Sequence, residues 1–161
     1  MKSKRILCFG LCLVLIAVLA GCFQNKSDMP FNGQVTFHSL QLTIPEEYIR
    51  DSTQSTDEAW LFEQGWYKKT IVLLCRQIQE EPESYLTAYA TGMESLGIQA
   101  DSVTFLGMQA VKCSATKEDG VFWQEVSFVY NGAFYAVAMN GGTQAEFQAL
   151  LDTAALNQTE K

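Results

Sequence analysis

The sequence of 161 residues has few of the side chains on which hydrolytic and metal-dependent enzymes rely. It has one histidine, His38, so any Ser-His-acid triad would have to include it, and no G-x-S-x-G segment exposes a nucleophilic serine. There is no C-x-x-C or H-E-x-x-H spacing and no D-x-D calcium loop. The sequence therefore predicts no catalytic residue, no metal and no cofactor, and it favours a protein that is not an enzyme.

Basic residues are also scarce. The chain has 11 Lys and Arg against 18 Asp and Glu, a formal net charge of −7. Three of the basic residues, Lys2, Lys4 and Arg5, lie at the start, so residues 22–161 carry 8 basic and 18 acidic side chains and a net charge of −10. Because nucleic acids and anionic head groups attract basic surfaces, we expect no binding to nucleic acid.

Long apolar runs are absent after Cys22, and the run before it is short. Residues 6–20 are apolar but would span only about 23 Å as a helix, less than the hydrocarbon core of about 30 Å. A basic start followed by an apolar run and small residues is typical of an export signal. We therefore expect secretion across a membrane rather than a permanent transmembrane helix.

The segment Leu19-Ala20-Gly21-Cys22 resembles the lipobox of bacterial lipoproteins. The resemblance implies cleavage between Gly21 and Cys22 and acylation of the Cys22 thiol, and two or three acyl chains anchor a protein stably. It predicts a signal peptide over 1–21, a lipidated N-terminus and tether over 22–33 and a single domain over 34–157. The expected location is extracytoplasmic, anchored to the lipid bilayer of the cell membrane.

Two cysteines, Cys75 and Cys113, lie in the predicted domain, since Cys8 and Cys12 belong to the predicted signal. An extracytoplasmic protein could join them in a disulfide, which needs Cα atoms within about 7 Å. The alternative is two buried free thiols. The sequence leaves both open.

Turn residues predict three consecutive strands in the second half, over about 108–116, 121–130 and 133–140. The dipeptides Asp119-Gly120 and Asn131-Gly132 separate them, and both are typical of two-residue hairpin loops. Two-residue loops would pair Val111 with Phe128, Cys113 with Val126, and Phe128 with Tyr135.

In that register one sheet face carries four polar side chains, Lys112, Ser114, Glu125 and Ser127. A solvated or partly covered strand face with an ordinary ion pair explains them. The alternatives are a polar ligand groove or a Ser-Lys hydrolase, in which a buried Lys112 would act as the base. A shift of one residue in the register would move side chains to the opposite face.

Helical signals bracket these strands. Thr143 and Glu146 form a capping box before a helix whose inward residues are Phe147, Leu150 and Leu151. A second helix begins near Pro82 and ends before Gly97, with Leu96 among its inward residues. With strands before Pro45 and over 70–75, the sequence predicts an α+β domain: a mostly antiparallel sheet of six to seven strands, two long helices and a short one.

Four aromatic residues, Trp60, Phe62, Trp66 and Tyr67, flank the predicted turn at Gln64-Gly65. Phe62 would oppose Tyr67, and such cross-strand pairs stabilise a hairpin. The alternative is an aromatic surface that docks a protein partner, because Trp and Tyr are typical of binding hot spots.

The segments LTIPEEY, WLFEQGWYKK and FLGMQAVKC, with a helix from about Glu83, resemble PsbP-like or DcrB-like α/β/α sandwich domains over roughly residues 33–155. Tyr48 stands where many such domains carry Trp. The resemblance implies an accessory or protein-interaction role at a membrane and brings no catalytic motif. A lipoprotein that binds a small ligand or peptide is the alternative, and a hydrolase using Lys112 and Ser114 is third.

Overall fold

The computed structural model describes residues 33–65, 69–117 and 119–157. The signal peptide, Gly21, Cys22 and nearly all of the tether predicted from the sequence lie outside these ranges, as do Trp66 and Tyr67. The described elements are β1 Gly33–Phe37, β2 Leu40–Ile44, β3 Ile49–Asp51, β4 Ala59–Gln64, β5 Lys69–Gln77, α1 Pro82–Ser95, β6 Gln99–Phe105, β7 Met108–Thr116, β8 Phe122–Tyr130, β9 Ala133–Asn140, α2 Gln144–Asp152 and β10 Ala155–Leu156.

Seven strands form one antiparallel sheet in the order β3-β4-β5-β9-β8-β7-β6, and β1, β2 and β10 form a small second sheet. Helix α1 covers one face of the large sheet, packing on β6, β7 and β8. The small sheet and α2 cover the other face around Phe128 and Tyr135. The expected α+β class and antiparallel sheet are therefore confirmed.

The helices are shorter than the sequence predicted. Helix α1 has 14 residues and α2 has nine, and no further short helix occurs within the described residues. Helix α1 ends before Gly97, whose φ of 76° suits glycine. Helix α2 ends where the Thr153 hydroxyl donates to the Leu150 carbonyl oxygen, and the chain then enters β10. Leu96 lies past α1 and is 52% exposed, so its predicted inward position is wrong.

The β8–β9 hairpin has the register expected for a two-residue loop. Asn131 and Gly132 have φ values of 50° and 73°, and Phe128 lies opposite Tyr135. The capping box of α2 is also present, with Thr143 and Glu146 bonding reciprocally.

The β7–β8 loop is one residue longer than predicted. The Lys117 N–H donates to the Val121 carbonyl oxygen, so three residues instead of two separate this pair. Each opposing position in the two strands therefore moves by one: Val111 lies opposite Ser127 and Cys113 opposite Glu125. Since side chains alternate along a strand, this shift changes which residues share a sheet face.

The β4–β5 connection is longer too. Gln64 lies opposite Lys69, and Phe62 therefore lies opposite Ile71 and not Tyr67. The predicted strand over 70–75 is confirmed as part of β5, which lies between β4 and β9 and is largely buried.

The two domain cysteines are free and buried. Cys75 packs in the core beneath the small sheet and α2, whereas Cys113 packs under α1. They lie on opposite faces of the sheet. The structure therefore has two buried free thiols, and Cys75 and Cys113 form no disulfide. No helix among the described residues is long and apolar enough to span a membrane.

Candidate functional site

The polar cluster predicted on one sheet face is divided between two faces. Glu125 and Ser127 lie on the α1 side, opposite Cys113 and Val111. Lys112 lies opposite Val126, and Ser114 opposite Gln124, on the other side of the sheet. The predicted four-residue site is therefore wrong, and its cause is the three-residue β7–β8 loop. Lys112 cannot act on Ser127 through the thickness of the sheet.

On the α1 side the sheet buries a carboxyl group. Glu125 is 0% exposed and its Oε1 accepts hydrogen bonds from the hydroxyls of Tyr89 and Ser127. Its Oε2 has no hydrogen-bond partner among the described residues. Burial raises the pKa of Glu125, and the two hydrogen bonds only partly oppose this shift.

The pKa values of two neighbours of Glu125 are raised for the same reason. Burial and the Glu125 carboxyl raise the pKa of Tyr89 well above its usual value. Burial and Glu125 also raise the pKa of the Cys113 thiol, so it is not an activated nucleophile. This group links α1 to the sheet but offers no side chain to a soluble substrate in this conformation.

The aromatic hairpin is divided between core and surface. Phe62 is 0% exposed and belongs to the core, so it cannot contact a partner. Trp60 lies two residues before Phe62 on the same strand face and is half-buried. Its ring centroid is 5.0 Å from that of Phe37 and 3.8 Å from the Arg50 guanidinium. Of the described aromatic residues in this hairpin, Trp60 alone reaches the surface.

On the opposite face of the sheet from α1, a cleft of about 240 Å³ lies beside α2. Three segments distant in sequence form it: the end of β2 with the turn that follows, β9, and α2. Its lining residues are Thr43, Pro45, Glu47, Tyr48, Met139, Glu146, Ala149, Leu150 and Thr153. No pattern in the sequence predicted this cleft.

Tyr48 is the most deeply placed polar residue of the cleft. Its N–H donates to the Pro45 carbonyl oxygen at 3.1 Å, and this turn holds the residue at only 2% exposure. Burial, then the charges of Glu146 and Glu47, raise the pKa of Tyr48 to about 12. Its hydroxyl has no hydrogen-bond partner in the described part of the chain.

Glu146 is the second charged group of the cleft and is already bonded. Lys69 Nζ lies 2.6 Å from its Oε1, and the Thr143 N–H donates to its Oε2 at 2.7 Å. The hydrogen bond from Lys69, then those of Thr143, lower the pKa of Glu146 to about 2. Glu47, by contrast, is exposed and makes no hydrogen bond or ion pair within the described ranges.

Neither a histidine site nor a metal centre is found among the described residues. The His38 Nε2 lies 2.7 Å from the Asp57 carbonyl oxygen, away from the cleft residues. No group of His, Cys, Asp and Glu side chains in the described ranges could hold a metal ion.

The sequence matches no family model and no curated protein. The fold does match solved structures. A protein from Bacteroides thetaiotaomicron has a TM-score of 0.57 at 9% identity, over 81% of this chain and 51% of that one. Cyanobacterial PsbP (CyanoP) from Synechocystis has a TM-score of 0.54 at 7% identity, over 85% of this chain and 99% of that one.

A third structure is LpqN, involved in cell envelope biogenesis of Mycobacterium tuberculosis, with 18% identity over 80% of this chain and 82% of that one. Its TM-score of 0.41 is too low to support an argument. The chain spans about half the length of the Bacteroides protein. Together the first two likenesses define a PsbP-like fold, and at such low identity they show the fold alone.

Proposed function

We propose that this protein is a bacterial lipoprotein whose PsbP-like, or DcrB-like, domain is held by acylated Cys22 at the extracytoplasmic surface of the cell membrane. One observation carries the proposal: a basic start, a short apolar run and Leu19-Ala20-Gly21-Cys22 follow each other in the order of a lipoprotein signal. The acidic chain after Cys22 agrees with a domain that stays away from anionic head groups.

We further propose that the domain is a non-enzymatic accessory or protein-interaction module. A buried polar group of the described domain, around Glu125, supports helix packing and lies away from solvent. The side chains that remain available are surface groups such as Trp60 and the cleft beside α2. Half-buried aromatic and arginine side chains are typical of interaction hot spots, and Trp60 with Arg50 fits that description.

Metabolic labelling with palmitate tests the anchor. The Cys22→Ser variant should accumulate as an uncleaved precursor without label, because it lacks the thiol that is acylated. Cys12→Ser, in the same apolar run, is the matched control and should be cleaved and labelled like the wild type. Label entering the Cys22→Ser variant would refute the anchor.

Crosslinking in intact cells, followed by purification from membranes, tests the interaction role. An accessory module should give one partner in fixed stoichiometry, and Cys22→Ser should reduce its recovery because the domain is no longer held beside it. A wild-type protein that crosslinks to no partner would contradict this role.

Binding of a small ligand or a peptide is the second candidate function, and the cleft beside α2 favours it. The cleft has mostly apolar walls and a few polar groups, as binding pockets do. Its volume of about 240 Å³ is below the range of about 300–1,000 Å³ typical of pockets for drug-sized ligands. One side chain of a peptide suits this volume better than a whole ligand.

A further inference from the structure

We propose that the cleft beside α2 binds a basic side chain, arginine or lysine, presented by a protein partner. The inference rests on the proposed interaction function and names the chemistry of its contact. The aliphatic part of the guest side chain would lie against the apolar wall, and its cationic group would meet the Tyr48 hydroxyl and the Glu47 carboxylate.

The walls of the cleft match an aliphatic chain. Pro45, Met139 and Leu150 line it together with the ring of Tyr48, and Met139 and Leu150 are almost fully buried themselves. A methionine thioether adapts to the shape of a guest because it has three rotatable bonds. The long methylene parts of Lys and Arg commonly pack on such surfaces while the charge stays hydrated.

The hydroxyl of Tyr48 indicates a polar group on the guest. The Tyr48 hydroxyl has no hydrogen-bond partner among the described residues, so it is available to a guest in the cleft that Tyr48 lines. Glu47 and Glu146 line the cleft together with Tyr48, and after burial their charges contribute to the raised pKa of Tyr48. With a pKa of about 12 it is a neutral phenol at physiological pH and can accept a hydrogen bond from a cation.

The charges select a cation over an anion or a neutral group. Lys69 and the Thr143 N–H already satisfy Glu146, so the carboxylate left for a guest is Glu47. An anionic guest would be repelled by Glu47, and a neutral guest would gain nothing from its charge. A guanidinium or ammonium group donates charge-assisted hydrogen bonds to Glu47 and Tyr48 together.

Titration of the full chain in a non-ionic detergent with n-butylguanidinium tests this assignment. Backbone amide resonances of Tyr48, Ala149 and Thr153 should shift in a saturable way, whereas pentanoate and pentanol, of similar length, should leave them unchanged. Glu47→Gln should weaken binding about threefold, as expected for one exposed ion pair. Tyr48→Phe should also weaken binding, and Glu83→Gln, an exposed acid at the start of α1, should not.

Equal shifts with pentanoate or pentanol would overturn the assignment, and so would unchanged affinity in both cleft variants. The crosslinking experiment separates this result from the proposed function. A partner captured equally by the wild type and Glu47→Gln would retain the interaction role but overturn the cleft as its site. Cation binding without a captured partner would support the site and count against the interaction role.

Discussion

Two glutamates on opposite faces of the large sheet have pKa values that are shifted in opposite directions. Under α1, Glu125 is 0% exposed and burial raises its pKa. Beside α2, Glu146 has a side chain 42% exposed, and hydrogen bonds from Lys69 and Thr143 lower its pKa to about 2. Glu125 is a strand residue beneath α1 and Glu146 is in the first turn of α2, so the two carboxyl groups differ in their exposure to solvent and in their partners.

This contrast separates a structural face from an accessible one. The α1 face encloses its polar groups, and the hydroxyls of Tyr89 and Ser127 already donate to Glu125. The α2 face keeps a cleft whose Tyr48 hydroxyl and Glu47 carboxylate have no partner among the described residues. Binding is therefore expected on the α2 face, and mutations on the α1 face should act on stability.

Tyr89→Phe should produce the largest loss of stability among the variants that probe this contrast. It removes one of the two donors to a fully buried carboxyl, and such losses cost about 1–3 kcal/mol. Urea unfolding measures the change. Tyr85→Phe is the matched control, because its half-buried ring also packs on Phe134 and it should change stability by less than about 0.5 kcal/mol. Equal losses in both variants would contradict a special role for the Tyr89 hydroxyl.

Glu125→Gln should change how stability depends on pH. Because the folded pKa of Glu125 is raised, the folded protein retains this proton after the unfolded chain has lost it. The contribution of this proton to the free energy of unfolding is fully present below about pH 4.5, the pKa of the carboxyl in the unfolded chain. It is lost as pH rises through the pKa of the folded state. The decline is at most about 1.4 kcal/mol per pH unit for one proton.

Glutamine keeps the shape and stays neutral, so this decline should disappear in Glu125→Gln and the variant should be at least as stable as the wild type at neutral pH. Urea unfolding at several pH values provides the measurement. Glu94→Gln, exposed on α1, should leave the wild-type profile unchanged. Parallel profiles for wild type and Glu125→Gln would show that Glu125 does not titrate differently on folding.

Lys69→Met should have the smallest effect, below about 1 kcal/mol, since both partners of the Lys69–Glu146 pair are partly exposed. The depressed pKa of Glu146 gives stability that is present above about pH 4.5 and lost as pH falls towards 2, opposite to Glu125. The Lys69→Met difference should shrink in about 1 M salt. A loss larger than that of Tyr89→Phe would reverse the contrast between the faces.

The sequence predicted most of the fold because its local signals are strong. Asn131-Gly132 set the β8–β9 register correctly, and Thr143 with Glu146 marked the start of α2. Asp119-Gly120 was less informative, since the same dipeptide also occurs in three-residue loops with glycine at positive φ, and Gly120 has φ 80°. The one additional residue in the β7–β8 loop determines which residues of β7 share a sheet face with Glu125 and Ser127.

The cleft could not be predicted in the same way. Pro45 and Tyr48 are about a hundred residues from Glu146 in sequence, and only the packing of the small sheet and α2 on the large sheet brings them together. Local patterns specify turns and helix caps but not such distant neighbours. The burial of Phe62 could not be predicted either, because the alternation of side chains shows which residues share a sheet face but not which face is covered.

Gly33 pairs with Ile44 in the small sheet, and this pairing sets how far the cleft lies from the start of the domain. Ile44 lies between Thr43 and Pro45, two residues of the cleft, so the first residue of the described domain is one strand spacing, about 4.8 Å, from the cleft wall. With the anchor proposed at Cys22, only 11 residues before Gly33 in the sequence, the cleft would stay close to the bilayer. A membrane-bound partner would then encounter it at an effective concentration on the order of millimolar, and even a weak contact would be occupied much of the time.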